Sequence, residues 1–129
     1  MKLGITGAAS YRDYDHFTRV LNAISVPVTL IVTGGRDGVE KMARRYGREH
    51  EIPTLLHYQK ATESPEPLLA FHALLMADAD NVLGFHYVGT HTAALLKGVA
   101  TRSGKRLNMV YLEPDHVPQS IAGRYGEEI

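Results

Sequence analysis

Residues 28–38, VTLIVTGGRDG, join a short apolar run to a glycine-rich turn. The run, residues 28–32, is apolar almost throughout, which indicates a strand covered on both faces, as in a parallel sheet. The turn, residues 33–38, leads into good helix formers at about residues 39–50, with Met42 and Tyr46 on the predicted inner face. A strand, a tight turn and a helix in this order form the repeating unit of an α/β fold.

The same unit recurs on both sides of this stretch. Strands are predicted at residues 2–6, 28–32, 52–58, 81–85 and 107–111. A first helix is predicted after an N-cap at Asp13 or Asp15, and the other helices at residues 39–50, 68–77 and 90–101, with a loop at 59–67. This alternation predicts a Rossmann-like three-layer sandwich, with a mainly parallel five-stranded sheet of order 3-2-1-4-5 and helices on both faces. We expect one domain over residues 1–112 and a C-terminal tail over 113–129.

Composition narrows the class of protein. The chain has 129 residues, enough for one domain, with 14 basic and 14 acidic residues. A formal net charge of zero gives no general attraction to nucleic acid or to an anionic membrane. There is no cysteine, which excludes disulfides, thiolate catalysis and sulfur-based zinc sites. Without a signal-like start or an apolar run of about 20 residues, the expectation is a cytoplasmic protein without membrane or nucleic-acid partners.

Three predicted loops combine small residues with a helix start, and all three should reach the carboxyl edge of the sheet. Ligands of open α/β sheets bind at this edge, at the point where strand order reverses. Glycines allow close backbone approach, and a helix start presents free amides to an anion. The predicted ligand- or phosphate-binding residues are Gly7, Ala8, Ser10, Thr33, Gly34, Gly35, Arg36, Asp37, Gly38, His86, Gly89, Thr90, His91 and Thr92.

Each feature also has a plainer interpretation. A single glycine-rich turn is a common connection between a strand and a helix and need not bind a ligand. Arg36 either holds phosphate or pairs with Asp37 or Glu40 on the surface, and Asp37 is expected to cap the following helix. The seven histidines show no metal-ligand spacing, so no metal or cofactor is expected, and His86 is either a ligand contact or a second-layer residue. Walker, G-x-G-x-x-G and G-x-S-x-G motifs are absent from the sequence.

Over about residues 1–112 the chain resembles the YspA-like branch of the SLOG superfamily. The matching residues are Gly4-Ile5-Thr6-Gly7, Asp13-Tyr14, Phe17, residues 31–38, Ala43, Tyr46, Ile52-Pro53, Ala79-Asp80, Gly89-Thr90 and Gly104-Lys105. The resemblance implies a Rossmann-like domain that binds nucleotides or nucleotide-derived signals, usually as a homo-oligomer. Some relatives, the LOG enzymes, cleave nucleoside monophosphates at the glycosidic bond. Their P-G-G-x-G-T-x-x-E signature is absent here, and Ala8-Ala9-Ser10 stands where YspA-like domains have G-S-R.

Three functions follow as hypotheses. The first is a binder of a phosphorylated nucleoside or signalling nucleotide, acting as a sensor or as a sequestering protein of the kind that suits a phage or mobile element. The second is a nucleoside 5'-monophosphate phosphoribohydrolase, with Glu40 as the catalytic carboxylate and Arg36 as the phosphate clamp. The third is a non-catalytic protein-interaction module. Apolar residues beyond the needs of one sheet, at Leu74, Leu75 and Leu96, indicate a homodimer or higher homo-oligomer.

Overall fold

A computed structural model describes residues 1–57 and 65–112. Across these residues, strands and helices alternate in the order β1 (Lys2–Gly7), α1 (Tyr14–Asn22), β2 (Leu30–Gly34), α2 (Val39–Glu49), β3 (Thr54–His57), α3 (Pro65–Asp78), β4 (Asn81–Tyr87), α4 (His91–Ser103) and β5 (Arg106–Leu112). The strands form a parallel sheet of order β3-β2-β1-β4-β5. The predicted α/β class and strand order are therefore confirmed.

The order of the strands reverses beside β1. Its residue Gly4 lies opposite Val32 of β2 on one side and Val82 of β4 on the other. The chain first builds outward through β2 to β3, and then crosses back over the sheet to place β4 on the free side of β1. The loops after β1 and β4 consequently start side by side at the carboxyl edge, where Gly7 lies opposite Phe85, and open α/β sheets bind ligands at such a switch point.

Two apolar cores cover the two faces of the sheet. The core under α1 and α2 includes Phe17, Leu21 and Tyr46. The core under α3 and α4 includes Leu75 and Leu96. Helices thus cover both faces, as predicted. This burial on both sides is why β1, β2 and β4 are apolar along most of their length rather than alternating.

Local chemistry sets several helix ends. Asp13 is the N-cap of α1, and its Oδ1 accepts a hydrogen bond from the backbone N–H of His16 at 3.0 Å. Thr90 is the N-cap of α4. Gly104 ends α4 in the left-handed conformation, with φ of 63°, which a residue without a Cβ adopts at little cost. The first helix therefore starts at one of the two caps that the sequence offered.

Several predicted boundaries were wrong, because strand pairing decides where a strand ends. Residues 28 and 29 were predicted as strand, but β2 starts at Leu30, which pairs with Lys2, the first residue of β1. At the other end β2 continues to Gly34, which pairs with His57 of β3. Likewise, β4 extends through His86 to Tyr87, two residues that were predicted as loop.

The predicted loop at 59–67 overlaps the start of α3, which begins at Pro65 rather than at residue 68. A proline is favourable in the first turn of a helix because its missing N–H has no partner there anyway. The rest of that loop, together with Tyr58 and the tail at 113–129, lies outside the described residues. None of the described helices has the length and apolar composition needed to cross a membrane.

The leucines that indicated self-association have different surroundings. Leu75 and Leu96 are fully buried in the core between α3, α4 and the sheet. Leu74 is 48% exposed. The apolar surplus inferred from the sequence is thus mostly core, because α3 and α4 also pack against each other. Homo-oligomerisation stays a prediction without that support.

Candidate functional site

Backbone hydrogen bonds connect Ala8, in the loop after β1, to β4 and to α2. Its backbone N–H donates to the carbonyl of Phe85 in β4 at 2.8 Å, and its own carbonyl accepts from the N–H of Val39 in α2 at 3.2 Å. The loop after β1 is therefore bonded both to the end of β4 and to the first turn of α2. Because these links involve only backbone atoms, the geometry follows from the fold rather than from side-chain identity.

A carboxylate of the chain itself occupies the turn before α2. Glu40 is fully buried, and its Oε2 accepts from the hydroxyl of Thr6 at 2.9 Å. Its Oε1 accepts from the backbone N–H of Arg36 at 3.1 Å, and Arg36 Nη2 lies 3.2 Å from Oε2. The start of a helix favours a negative charge, and here Glu40 supplies it. The sequence left open whether Arg36 holds phosphate or pairs with Asp37 or Glu40. In the structure Arg36 pairs with Glu40, and the pair is buried rather than on the surface.

The glycine-rich turn is shaped around this carboxylate. A Cβ at Gly34 would lie 2.3 Å from Glu40 Oε1, so only glycine leaves room for the ion pair. Arg44 Nη1 donates to the carbonyls of Gly34 at 2.8 Å and of Arg36 at 3.1 Å. Part of the turn's hydrogen-bonding capacity is therefore used within the protein. Thr33 is buried too, and its hydroxyl donates to the carbonyl of Ile5 at 2.6 Å.

The expected cap of α2 was wrong. Asp37 is exposed, and the N-cap is Gly38, which makes no side-chain cap hydrogen bond. Gly38 has φ of 74° and lies against the backbone of Ala8 and Ala9. This contact places the helix start against the loop after β1, where the carbonyl of Ala8 receives the N–H of Val39. The loop after β1, rather than the side chain of Asp37, therefore provides the acceptor at the start of α2.

Two histidines lie buried beneath the edge. His86 in β4 is 2% exposed, its Nδ1 is 3.4 Å from the hydroxyl of Thr92, and its Nε2 has no hydrogen-bond partner among the described residues. His72 in α3 is 1% exposed, and its Nδ1 likewise has no partner in the part of the chain that the structure describes. We refer to Thr6, Arg36, Glu40, His72 and His86 as the buried polar cluster.

Burial lowers the pKa of His72 to about 4, assisted by the nearby charges of His86 and Arg36. Burial also lowers the pKa of His86 to about 4, with Arg36 as the second cause. Both imidazoles are therefore neutral at pH 7 and can each donate and accept one hydrogen bond. The sequence prediction selected His86 but missed His72. A signal existed, since His72 falls four residues after Leu68 and three before Leu75, on the apolar face of α3.

The loop after β4 is the most open of the three. Gly89 is exposed with φ of 81°, and a Cβ there would meet nothing within 4 Å. The hydroxyl of Thr90 accepts from the N–H of Ala93 at 3.4 Å, and the backbone N–H groups of His91 and Thr92 have no hydrogen-bond partner among the described residues. His91 is exposed, Thr92 is half-buried, and the first turn of α4 contains no acidic residue. This helix start therefore combines amides without a partner in the helix, the positive end of the helix dipole and no carboxylate within its own first turn.

The structure divides the predicted site residues into two groups. Residues at the edge with exposed or partly exposed surface are Ala8, Ser10, Gly35, Asp37, Gly89, Thr90, His91 and Thr92. Residues that are buried or largely buried beneath it are Gly7, Thr33, Gly34, Arg36, Gly38, Glu40 and His86. The described residues contain no cluster of three or more His, Asp or Glu side chains arranged for a metal ion.

Because His72 and His86 are buried, we expect the free energy of unfolding to fall in mild acid. Their pKa values in the folded protein lie below the ordinary value of 6.5, so protons bind the unfolded chain first. The contribution of the two neutral imidazoles to the free energy of unfolding is complete above pH 6.5 and is lost as the pH falls toward 4. We expect each to lower the free energy of unfolding by about 1 kcal/mol between pH 7 and pH 5.5.

Urea unfolding at the two pH values measures this loss, and the variants His72→Phe and His86→Phe separate it from the titration of carboxylates. Each variant should show a smaller loss than the wild type. A wild-type loss that both variants reproduce in full would show that neither histidine is its source.

No protein-family model, curated protein or solved structure matches the chain significantly. The fold and the residues at the edge therefore carry the functional argument.

Proposed function

We propose that the protein binds a phosphorylated nucleoside or a nucleotide-derived signalling molecule at the carboxyl edge of the sheet, as a sensor or a sequestering protein. The observation that carries the proposal is the junction at Ala8, which bonds the loop after β1 to the end of β4 and to the start of α2. It brings three helix or strand ends to the switch point, where open α/β sheets bind ligands. The resemblance to the SLOG superfamily supports the same class of ligand.

The start of α4 is the phosphate subsite in this proposal. The start of α2 already receives the carboxylate of Glu40, whereas the first turn of α4 has no acidic residue. A phosphate at residues 89–92 would accept from the first-turn amides of α4, as at other helix starts. The hydroxyl of Thr92 and the imidazole of His91 lie within the same turn and would add polar contacts.

The nucleoside part would lie toward β1, over Ala8 and Ser10. Beneath this position the Nδ1 of His86 lies 3.4 Å from the hydroxyl of Thr92, so a neutral imidazole helps to position a hydroxyl at the edge. Uncharged donors and acceptors suit the neutral groups of a sugar or a base, whereas charged ones would favour a second anion. The site then combines one anion subsite with a neutral polar surface.

The geometry of Glu40 favours binding over glycosidic cleavage. A catalytic carboxylate must reach the anomeric carbon of the substrate or protonate its leaving group. Glu40 is fully buried and accepts hydrogen bonds from the hydroxyl of Thr6 and from the backbone and side chain of Arg36. Those contacts support a role in holding the turn before α2 in shape.

A thermal-shift experiment compares nucleoside 5'-monophosphates with the same nucleosides lacking phosphate. A ligand at 100 times its Kd stabilises the fold by about 2.7 kcal/mol, which is several degrees in Tm for a domain of this size. We expect a shift with at least one monophosphate and none with its nucleoside. The variant His91→Glu places a negative charge in the proposed phosphate subsite and should abolish the shift.

Ser103→Glu, at the other end of α4, is the matched control, because it adds the same charge at an exposed position far from the edge. It should keep the wild-type shift. Release of free base during incubation would support the hydrolase instead. No shift with any nucleotide, or an equal loss in both variants, would contradict the proposal and favour an interaction module.

A further inference from the structure

A cationic surface lies between α1 and α2, and its lining includes no member of the buried polar cluster. It is a cavity of about 330 Å³. Its walls include the basic side chains of Arg12, Lys41, Arg45 and Arg48, and Asp37 is the one carboxylate among the described residues that line it. We refer to it as the basic cleft. None of the basic residues in it was selected as a site residue from the sequence.

The basic cleft occupies a different face of α2 from the buried polar cluster. Lys41, Arg45 and Arg48 recur at intervals of four and three residues, which places them on one stripe of the helix. Glu40 and Arg44 lie on the adjacent stripe and contact the turn before the helix. The two surfaces therefore have separate side chains, and substitutions can address each alone.

Two of the four cations are held in place. Arg45 Nε donates to Glu49 Oε2 at 2.9 Å, and its guanidinium lies 3.8 Å from the centre of the Tyr14 ring. Tyr14 in turn donates its hydroxyl to Glu49 Oε1 at 2.7 Å. Arg12 Nη1 donates to the carbonyls of Ala9 at 2.6 Å and of Tyr11 at 2.9 Å. Side chains fixed before binding lose less entropy when a ligand arrives.

The other two cations, Lys41 and Arg48, have no carboxylate partner in the part of the chain that the structure describes. Among residues 1–57 and 65–112, no ion pair involves Lys41 or Arg48. Both are exposed and face the same cavity as Arg12 and Arg45. Concentrating charges of one sign around a concave surface raises the local potential for anions, although the whole chain has a net charge of zero.

From this arrangement we propose that the basic cleft binds a chain of two or more linked phosphate groups. Lys41 and Arg48 are seven residues apart, or about 10 Å along the helix axis, which is a longer row than one phosphate group can contact. A cavity of about 330 Å³ falls at the small end of the range for small-molecule sites, which favours a short phosphate chain over a nucleic-acid strand. The basic cleft shares Asp37 and Gly38 with the turn before α2, but its lining contains none of residues 89–92, the phosphate subsite proposed for the carboxyl edge.

The test measures binding to the full chain by calorimetry, with tripolyphosphate, ATP, inorganic phosphate and a single-stranded oligonucleotide as probes. We expect tripolyphosphate to bind at least tenfold more tightly than inorganic phosphate. The double variant Lys41→Glu/Arg48→Glu should weaken tripolyphosphate binding at least tenfold. The control Lys97→Glu/Arg102→Glu changes two exposed charges on α4, on the other face of the sheet, and should bind as the wild type does.

The probes also separate the two sources of such a chain. Equal affinity for tripolyphosphate and ATP indicates that the inorganic chain suffices, and tighter ATP binding that persists in His91→Glu indicates a nucleoside polyphosphate. Absence of tripolyphosphate binding, or the same loss in the control variant, would overturn the proposal. Tighter binding of the oligonucleotide than of tripolyphosphate would overturn it in favour of a nucleic-acid partner.

Discussion

Replacing Glu40 with alanine is expected to lower the free energy of unfolding by about 3–5 kcal/mol, the usual cost of removing one partner of a buried ion pair. Glu40 is fully buried, and the side chain of its partner Arg36 is only 9% exposed. The substitution also removes the acceptor for the Thr6 hydroxyl and for the backbone N–H of Arg36. Urea unfolding at pH 7 measures the loss.

Glu49→Ala is the matched control. Glu49 also forms an ion pair with a residue four positions away, Arg45. The side chains of Arg45 and Glu49 are both about half exposed. Exposed pairs contribute little because water screens them, so this variant should lose much less stability than Glu40→Ala. Similar losses in the two variants would show that the buried pair does not anchor the turn before α2.

Replacing Gly38 with alanine is expected to lower the free energy of unfolding by about 2–5 kcal/mol, because backbone strain and a steric clash act together. Gly38 has φ of 74° and ψ of −128°, a conformation that residues with a Cβ rarely adopt. A Cβ there would lie 2.3 Å from the carbonyl oxygen of Ala8. Since the obstacle is the backbone of Ala8 and Ala9, relief of the clash requires moving the loop after β1 or the start of α2.

Gly104→Ala isolates the strain from the clash. Gly104 also has a positive φ, of 63°, but a Cβ there would meet nothing within 4 Å. This variant should lose only about 1 kcal/mol, the cost of the left-handed conformation alone. If Gly38→Ala were no more destabilising than Gly104→Ala, the close packing of the α2 start on Ala8 would not contribute to stability.

The fold could be predicted because the patterns that indicate it involve residues close together in the sequence. Continuous apolar strands, such as the one ending at Val32, indicate a sheet covered on both faces, and the handedness of parallel crossovers then restricts the strand order. Strand ends could not be predicted, because they depend on partners far away in sequence. Leu30 starts β2 because Lys2 starts β1, and nothing near residue 30 encodes that pairing.

The candidate site could be predicted only in outline. The sequence located the loops, since the carboxyl ends of parallel strands share one edge. It could not decide between phosphate and Glu40 as the partner of Arg36, because burial of that pair depends on Thr6 and Gly34 from two strands. The basic cleft was missed for a similar reason, since Arg12 joins the cations of α2 only in the folded chain.

The proposed function requires a phosphorylated nucleoside to bind at the carboxyl edge. Its most direct test is an NMR titration of the ¹⁵N-labelled protein with nucleoside 5'-monophosphates, following the backbone amides. We predict that the largest shifts occur at residues 89–92 and 7–10, with smaller changes at the turn before α2. Shifts confined to Lys41, Arg45 and Arg48 would assign the ligand to the basic cleft instead. The absence of shifts at residues 89–92 would contradict the account of the edge.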